Sequence, residues 1–570
     1  MMKRILMTAL MAIAASGLYA QNFYENASVS GSLQYDGQYY MADEAMGITE
    51  ESLSKRLGMN AFGELNYTVG NFRTGMRFEM YTPPLNGFDE KSEGLGIPFF
   101  YANYTNKFID VTIGDFYEQF GSGLTLRSYQ EWNLGYDNAI RGAKVVISPF
   151  RGVKIKALTG YQRWFWDQQV DMTKYDNRGL VSGVDGDLFL NDIFNMNGKT
   201  QITLGGSFVT KHEANLNKTV LFNDTLYKVN LPENVATWSG RMNITHGGFG
   251  LYGEYAYKIN NPSAFNEYSY RPGQALYVTA SYSQKGFGVT LAAKRIDNMS
   301  FKSKMTTTDN ALDISFIPPL SKQHHYSLPS LYPYASQPNG EMSLKGNVIY
   351  TIPRNTALGG KYGLSIEADF TIVYDTKKVN INNDLPIPTY ESPFFEIGDN
   401  NLYRDLNIIV TKKFNRNWKG IFTYINLLYD KDRVEGHTIG EYGVVDANIG
   451  IADVSWRINS KNSLRFEGQA LFVGKNDDGI KQDDGNWATL TLEYIFDKHW
   501  FFTIMDEWNY GNPNENNRLH YYYASVGYVY NATRVALSFG RQREGLLCVG
   551  GVCRYVPAAS GISLSVSSTF

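Results

Sequence analysis

Along most of the chain, apolar and polar residues alternate with a period of two. From Val29 to Tyr39 (Val-Ser-Gly-Ser-Leu-Gln-Tyr-Asp-Gly-Gln-Tyr) the odd positions are apolar or Gly and the even ones polar. Such alternation gives a β-strand one apolar and one wet face. At about 3.3 Å per residue, a run of this length crosses the hydrocarbon layer even when tilted. Leu57, Met59, Ala61, Gly63, Leu65, Tyr67 and Val69 form another apolar row. Gly70-Asn71 then turns the chain, and Phe72, Thr74, Met76, Phe78 and Met80 form the next row. Further tight turns are predicted at Asn106-Lys107, Asn197-Gly198, Gln284 to Gly286, Asp497-Lys498 and Asn531-Ala532.

Twelve longer polar stretches separate the hairpins, the longest spanning 296–340 and the last 543–556. Alternating short turns and long loops characterise outer-membrane barrels, whose turns are periplasmic and whose loops are extracellular. The predicted fold is therefore all-β: a single large antiparallel transmembrane β-barrel of about 24 strands, within a range of roughly 22 to 26. Segments 182–190, 341–350 and 402–411 carry the weakest strand pattern. The last strand alternates Ile562, Leu564 and Val566 with Ser563, Ser565 and Ser567 and ends on Phe570. A terminal aromatic after such a strand resembles the signal read by the barrel assembly machinery.

Composition narrows the picture. Lys3 and Arg4, the apolar run from Ile5 to Ala15, and Leu18-Tyr19-Ala20 before Gln21 match a secretory signal peptide over 1–20, leaving 21–570 for the barrel. No later run of 18 apolar residues is present, and mean hydropathy is -0.32, so no transmembrane helix is expected. Aromatic residues make up 15% of the chain, an excess that aromatic girdles at two membrane interfaces would absorb. A net charge of -3 on a nearly balanced set argues against a nucleic-acid partner. Cys548 and Cys553 are the only cysteines, and in an exported chain they are expected to form a disulfide. The expected location is the cell outer membrane, with outer-membrane lipid and the assembly machinery as partners.

Two stretches go beyond the general pattern. One runs from Gly114 to Leu124 (Gly-Asp-Phe-Tyr-Glu-Gln-Phe-Gly-Ser-Gly-Leu) and on to Gly142; the other runs from Gly545 to Pro557, through Cys548 and Cys553. Together they resemble a Bacteroidota outer-membrane β-barrel family of unestablished activity. The resemblance implies location and fold, and it supplies no catalytic residue.

The 114–142 stretch is dense in charge and bends at Gly121 and Gly123. It is expected to fold inward. Asp115, Glu118, Gln119, Arg127, Glu131, Asp137 and Arg141, with Lys144, Lys154 and Lys156 on the next strands, would then form a constriction that filters solutes by charge. The alternative is that these charges satisfy one another and hold the pore shut. Asp477, Asp478, Asp483 and Asp484 lack EF-hand spacing and read as solvated turns, so no metal is expected there. His324 and His325, in the 296–340 loop, read as exposed. That loop reads as a cap or surface epitope.

Enzyme signatures are missing: there is no G-x-S-x-G, H-E-x-x-H, Walker A or dinucleotide fingerprint, and no cofactor is expected. The predicted luminal row is polar: Ser30, Ser32, Gln34 and Asp36; Asn60, Glu64 and Asn66; Thr279 and Ser281; Glu367 and Asp369; Arg465, Glu467 and Gln469. These residues favour a porin-like channel or transporter for a small hydrophilic solute. The second reading is a structural or surface-complex barrel, binding a protein or glycan through Tyr268, Tyr270, Tyr326, Tyr332 and Tyr334. An outer-membrane enzyme comes third.

Overall fold

The computed structural model describes residues 27–164, 178–196, 198–214, 218–222, 224–308, 311–382 and 384–570. The expected signal peptide and Asn197 of one expected turn lie outside these. Twenty-four strands, from Ala27–Tyr40 to Ala559–Thr569, form one antiparallel sheet in which each strand pairs with the next along the chain. The three weakest segments are full wall strands, Leu180–Phe189, Gly340–Ile352 and Ile397–Lys413. The first and last strands pair from Ser32↔Thr569 to Tyr40↔Gly561, which closes the barrel and leaves no edge.

Phe570 completes that seam. Its N–H donates to the Gly31 carbonyl and its carbonyl accepts from the Gly31 N–H, both at 3.0 Å. A Cβ at Gly31 would collide with the Phe570 ring and come within 2.7 Å of the Glu64 carbonyl. The terminal ring can therefore cross the first strand only where that strand has no side chain.

Twelve long connections gather at one end of the barrel and the short turns at the other. The outward rows are apolar and open. Met76, Ile113, Leu291 and Ile504 project from the wall with no protein over them. Near the short turns, Trp418 and Trp456 stack at 5.2 Å, and Trp500 lies 4.8 Å from Tyr528. An apolar band ending in aromatics is the exterior that a bilayer selects. No helix among the described residues is long and apolar enough to cross a membrane.

Candidate functional site

Residues 117–139 leave the wall and enter the lumen as two miniature hairpins. These are Gln119–Phe120 against Leu126–Arg127, and Gln130–Glu131 against Tyr136–Asp137. Positive φ at Gly121 and Gly123 makes the bend between the first pair, and the Ser122 N–H donates to Glu254 on the inner face of Phe249–Lys258 at 2.8 Å. Glu118 accepts from Lys156 at 2.7 Å and faces Lys144 at 3.2 Å. The Gln119 carbonyl also accepts from Lys156. Arg127 lies over the rings of Tyr129 and Phe316, 4.3 and 3.9 Å from their centroids. Glu131 accepts from the Asn133 N–H and starts the turn at Trp132. Lys154, on the same inward row as Lys156 but nearer the short turns, is exposed.

Asp115 and Arg141 face the other way. They pair across adjacent strands on the row that carries Ile113 and Ala143, the outward one. Their ion pair, at 2.8 Å, is closed by the Phe100 N–H on Asp115, and the Phe100 ring lies 4.8 Å from Arg141. A bulge opposite Arg77 and Glu79 turns Phe100 outward and Phe99 inward, and so creates this seat. The pair belongs to the wall rather than the lumen.

A buried charge cluster joins Asp137 to residues that sequence reasoning did not single out. Arg77 and Glu79, on the inward row of Phe72–Tyr81, are both buried. Arg77 binds Glu79 at 2.7 Å, pairs with Asp137, and donates to Tyr117 and Gln130. Arg163 spans Glu79 and Asp137, each at 2.7 Å. Two cations and two carboxylates thus nail the second miniature hairpin to the wall. The available signal was Arg73-x-x-x-Arg77-x-Glu79, charges at period two on a strand whose lumen face should be merely polar.

The larger obstruction is the strap formed by 298–308 and 311–339. Rather than capping the mouth, it descends. The Leu320 carbonyl accepts from Lys345, Lys322 reaches Glu367 near the short-turn end at 2.7 Å, and His324 meets Asp405 at 2.9 Å. Tyr326 donates to Asp453 at 3.2 Å, and the Leu328 N–H donates to Gln469 at 3.1 Å. His324 is therefore buried against a carboxylate, not exposed as expected. Tyr332 and Tyr334, expected as surface contacts, are buried; they donate to Asp483 and Glu341. Asp483 also holds Lys431 at 2.7 Å, so it is an anchor for the strap rather than a solvated turn. Tyr270 donates to the Asn230 carbonyl, and Tyr268 lies against Lys218.

The expected polar lumen also needs correction. Leu328, Tyr332 and Tyr334 pack on the inward side chains of Ile425, Leu427, Val445, Ile449, Leu471 and Trp487. Along Val444–Arg457 the alternation is inverted near the long loops: Val445, Ala447 and Ile449 face in, while Asp446 and Asn448 face out. The inner wall is apolar there because a loop, not water, covers it.

Strap and hairpins interlock. The Arg127 N–H donates to the Ile314 carbonyl, the Phe316 N–H to the Gly123 carbonyl, and Asn138 to the Asp313 carbonyl, at 2.8 to 2.9 Å. A third piece locks them. The hairpin Gly545–Val549/Val552–Val556 carries the Cys548–Cys553 disulfide. Its tip accepts from the Ser336 N–H at 3.1 Å, and Arg554 donates to the Asn133 carbonyl at 2.7 Å. What remains of the lumen beneath includes a cavity of about 580 Å³ lined by Arg73, Phe99, Tyr101, Asp110, Tyr117 and Lys144.

Burial alone would push the Asp137 carboxyl up, but the facing Arg77 and Arg163 guanidiniums, the Ala139 N–H and the Tyr117 hydroxyl outweigh it. They hold Asp137 below the usual carboxylate range. A depressed folded value means that this stabilisation is complete above the ordinary carboxylate range and is lost as pH falls through the depressed one. The hairpins are thus expected to stay docked through ordinary carboxylate titration, at about pH 4, and to release only in stronger acid. Bilayer conductance recorded from neutral pH downward checks this. A conductance rise centred at or above about pH 4 would count against it.

A family described as a family of unknown function (DUF6029) matches residues 1–570. The chain belongs to that family. No curated protein matches this DUF6029 member. Among solved structures it is similar to the siderophore receptor PirA from Pseudomonas aeruginosa, at 9% identity over 95% of this chain and 80% of that one, with a TM-score of 0.41. It is also similar to OpdO from Pseudomonas aeruginosa, at 10% identity over 80% of this chain and 98% of that one, with a TM-score of 0.33. The outer membrane transporter YddB from Escherichia coli is 9% identical over 95% of this chain and 81% of that one, with a TM-score of 0.37. Likenesses this loose carry no functional argument. Location follows from the wall itself: a closed antiparallel barrel, apolar outside and aromatic at its rim, resides in the outer membrane.

Proposed function

We propose that this DUF6029 member is a gated outer-membrane channel for small hydrophilic solutes, shut at rest by its own loops. The supporting observation is that a 24-stranded lumen is filled by segments of the barrel chain, with polar contacts at their deepest point. Lys322–Glu367, His324–Asp405 and Tyr326–Asp453 are bonds that water or a solute can replace. The lower inner wall keeps Glu64, Asn66, Glu367 and Arg465, the lining a wet passage needs. Glu118, Gln119, Arg127 and Glu131, with Lys144 and Lys156, act in this reading as the closed gate's contacts, and Lys154 lies below them. No catalytic, metal or cofactor role is proposed. The chain is exported by its 1–20 signal, assembled through the Phe570 signal, and follows the Bacteroidota pattern of its two marked segments.

The apolar seat of Leu328, Tyr332 and Tyr334 favours a second reading, a permanently closed structural barrel whose extracellular face binds a partner. Wild-type protein in planar bilayers and in sugar-loaded vesicles separates the two. Voltage- or solute-dependent openings are expected. A folded barrel that never conducts and never passes ions or sugars sinks the channel reading and leaves the structural one.

A further inference from the structure

We propose that residues 379–382 and 384–396 form a flap on the outside of the barrel that sits in the outer-leaflet headgroup layer, with Arg295 as its contact to a lipid phosphate. The inference rests on the outer-membrane reading and adds a specific lipid seat to it. Several long loops turn inward; this one folds over the lipid-facing wall. Arg295 lies on the outward row of Phe287–Asp297, four positions from the open Leu291. Its Nη2 donates to the Ser392 hydroxyl at 2.8 Å and to the Ser392 carbonyl at 3.2 Å. The Phe394 ring lies 4.7 Å from the guanidinium and 6.4 Å from Tyr255, another outward residue. The flap is thus continuous with the surface that already faces lipid.

Two features point to what covers it. Phe395 is 86% exposed, and no large apolar side chain among the described residues is more so. A ring in that position is favoured at the boundary of headgroups and acyl chains and disfavoured in water. Arg295 is only 3% exposed, yet its Nε and Nη1 have no hydrogen-bond partner. Buried donors of a cation call for an anion. Asp297, 3.8 Å away, is the nearby carboxylate, and Arg271 at 3.3 Å and Tyr390 at 3.0 Å already engage it. Lys378, over the Tyr390 ring, adds a third cation. Asp384, Glu391 and Glu396 are exposed and none of them pairs with Arg295, so the flap supplies no carboxylate of its own to these donors. A headgroup phosphate satisfies the unpaired donors while the acyl region receives Phe395.

The test uses the full chain in phospholipid vesicles. The native cysteines are disulfide-bonded, so Phe395→Cys gives a thiol for an environment-sensitive fluorophore. Lipids with a nitroxide at headgroup depth are expected to quench this label strongly, and to leave a label at the exposed loop residue of Asp478→Cys bright. Native mass spectrometry of wild-type protein released from these vesicles is expected to retain a phospholipid that Arg295→Met loses. A label at 395 as bright as that at 478 overturns the flap's insertion, and equal lipid retention by Arg295→Met overturns the phosphate contact. If Phe395→Cys does not fold, judged by the heat-dependent gel shift of intact barrels, Phe394→Cys, beside outward Tyr255, carries the same measurement. Quenching of intrinsic tryptophan by the same lipids reports the wall separately, so failure of the flap is distinguishable from failure of the outer-membrane reading.

Discussion

Replacing residues 299–338 by a short Gly-Ser linker is expected to turn a quiet barrel into a wide pore, with conductance rising on the order of tenfold or more. Barrels of 16 to 18 strands already leave an aqueous channel, and this wall has 24. What stands in the way is chiefly the strap, whose Lys322 reaches Glu367 and whose Leu328, Tyr332 and Tyr334 cover the apolar inner wall. Its removal also strips the 117–139 hairpins of their Ile314, Phe316 and Asp313 partners. The wall should survive, because its ladder hydrogen bonds close without the strap. The heat-dependent gel shift checks that survival, and single-channel recording checks the opening. A folded deletion variant with unchanged conductance would show that another obstruction closes the lumen.

The second large effect is expected from Glu79→Gln. Glu79 is fully buried between Arg77 and Arg163, so neutralising it leaves two guanidiniums sharing only Asp137. Removing one partner of a buried ion pair costs about 3–5 kcal/mol, since the other charge stays desolvated and unpaired. The cost falls on the contacts that Asp137, Gln130 and Tyr117 make with Arg77 of the wall, so residues 117–139 should undock before any strand opens. Faster hydrogen exchange and proteolysis confined to that segment are the expected readout. Adding Arg77→Met should restore part of the protection, because it removes the uncompensated cation; no recovery would mean that packing, not charge, holds the loop.

The wall was legible from the chain alone because strand, turn and girdle signals are local. Period-two alternation, Asn-Gly-type turns and the alternation of short and long connections give the orientation and a strand number near 24, within roughly 22 to 26, without any distant contact. Even the weak segment 341–350 follows, since a closed meander needs a strand there. The Cys548–Cys553 pairing also needed only five residues of separation and an exported chain.

Of the lumen's contents only the inward fold of 117–139 was legible, from its charge density and its bend at Gly121 and Gly123; the rest depends on which other loops turn inward, and loop composition is polar whether a loop meets water or wall. Lys322, His324 and Tyr326 look like solvent residues until Glu367, Asp405 and Asp453 are brought opposite them from more than forty positions away. The outward facing of Asp115 and Arg141 was legible, since they alternate in phase with Ile113 and Ala143; only the bulge that brings Phe100 over them is a register event that alternation does not reveal. One clue was present: the inverted alternation of Val445, Ala447 and Ile449 against Asp446 and Asn448 shows an inner wall too apolar for water. The sequence by itself determined a closed outer-membrane barrel, because hydrogen-bond closure in lipid is enforced residue by residue. Only the tertiary structure decided which loops line and enter the lumen and what holds them there, because that rests on charge pairs and apolar seats assembled across it.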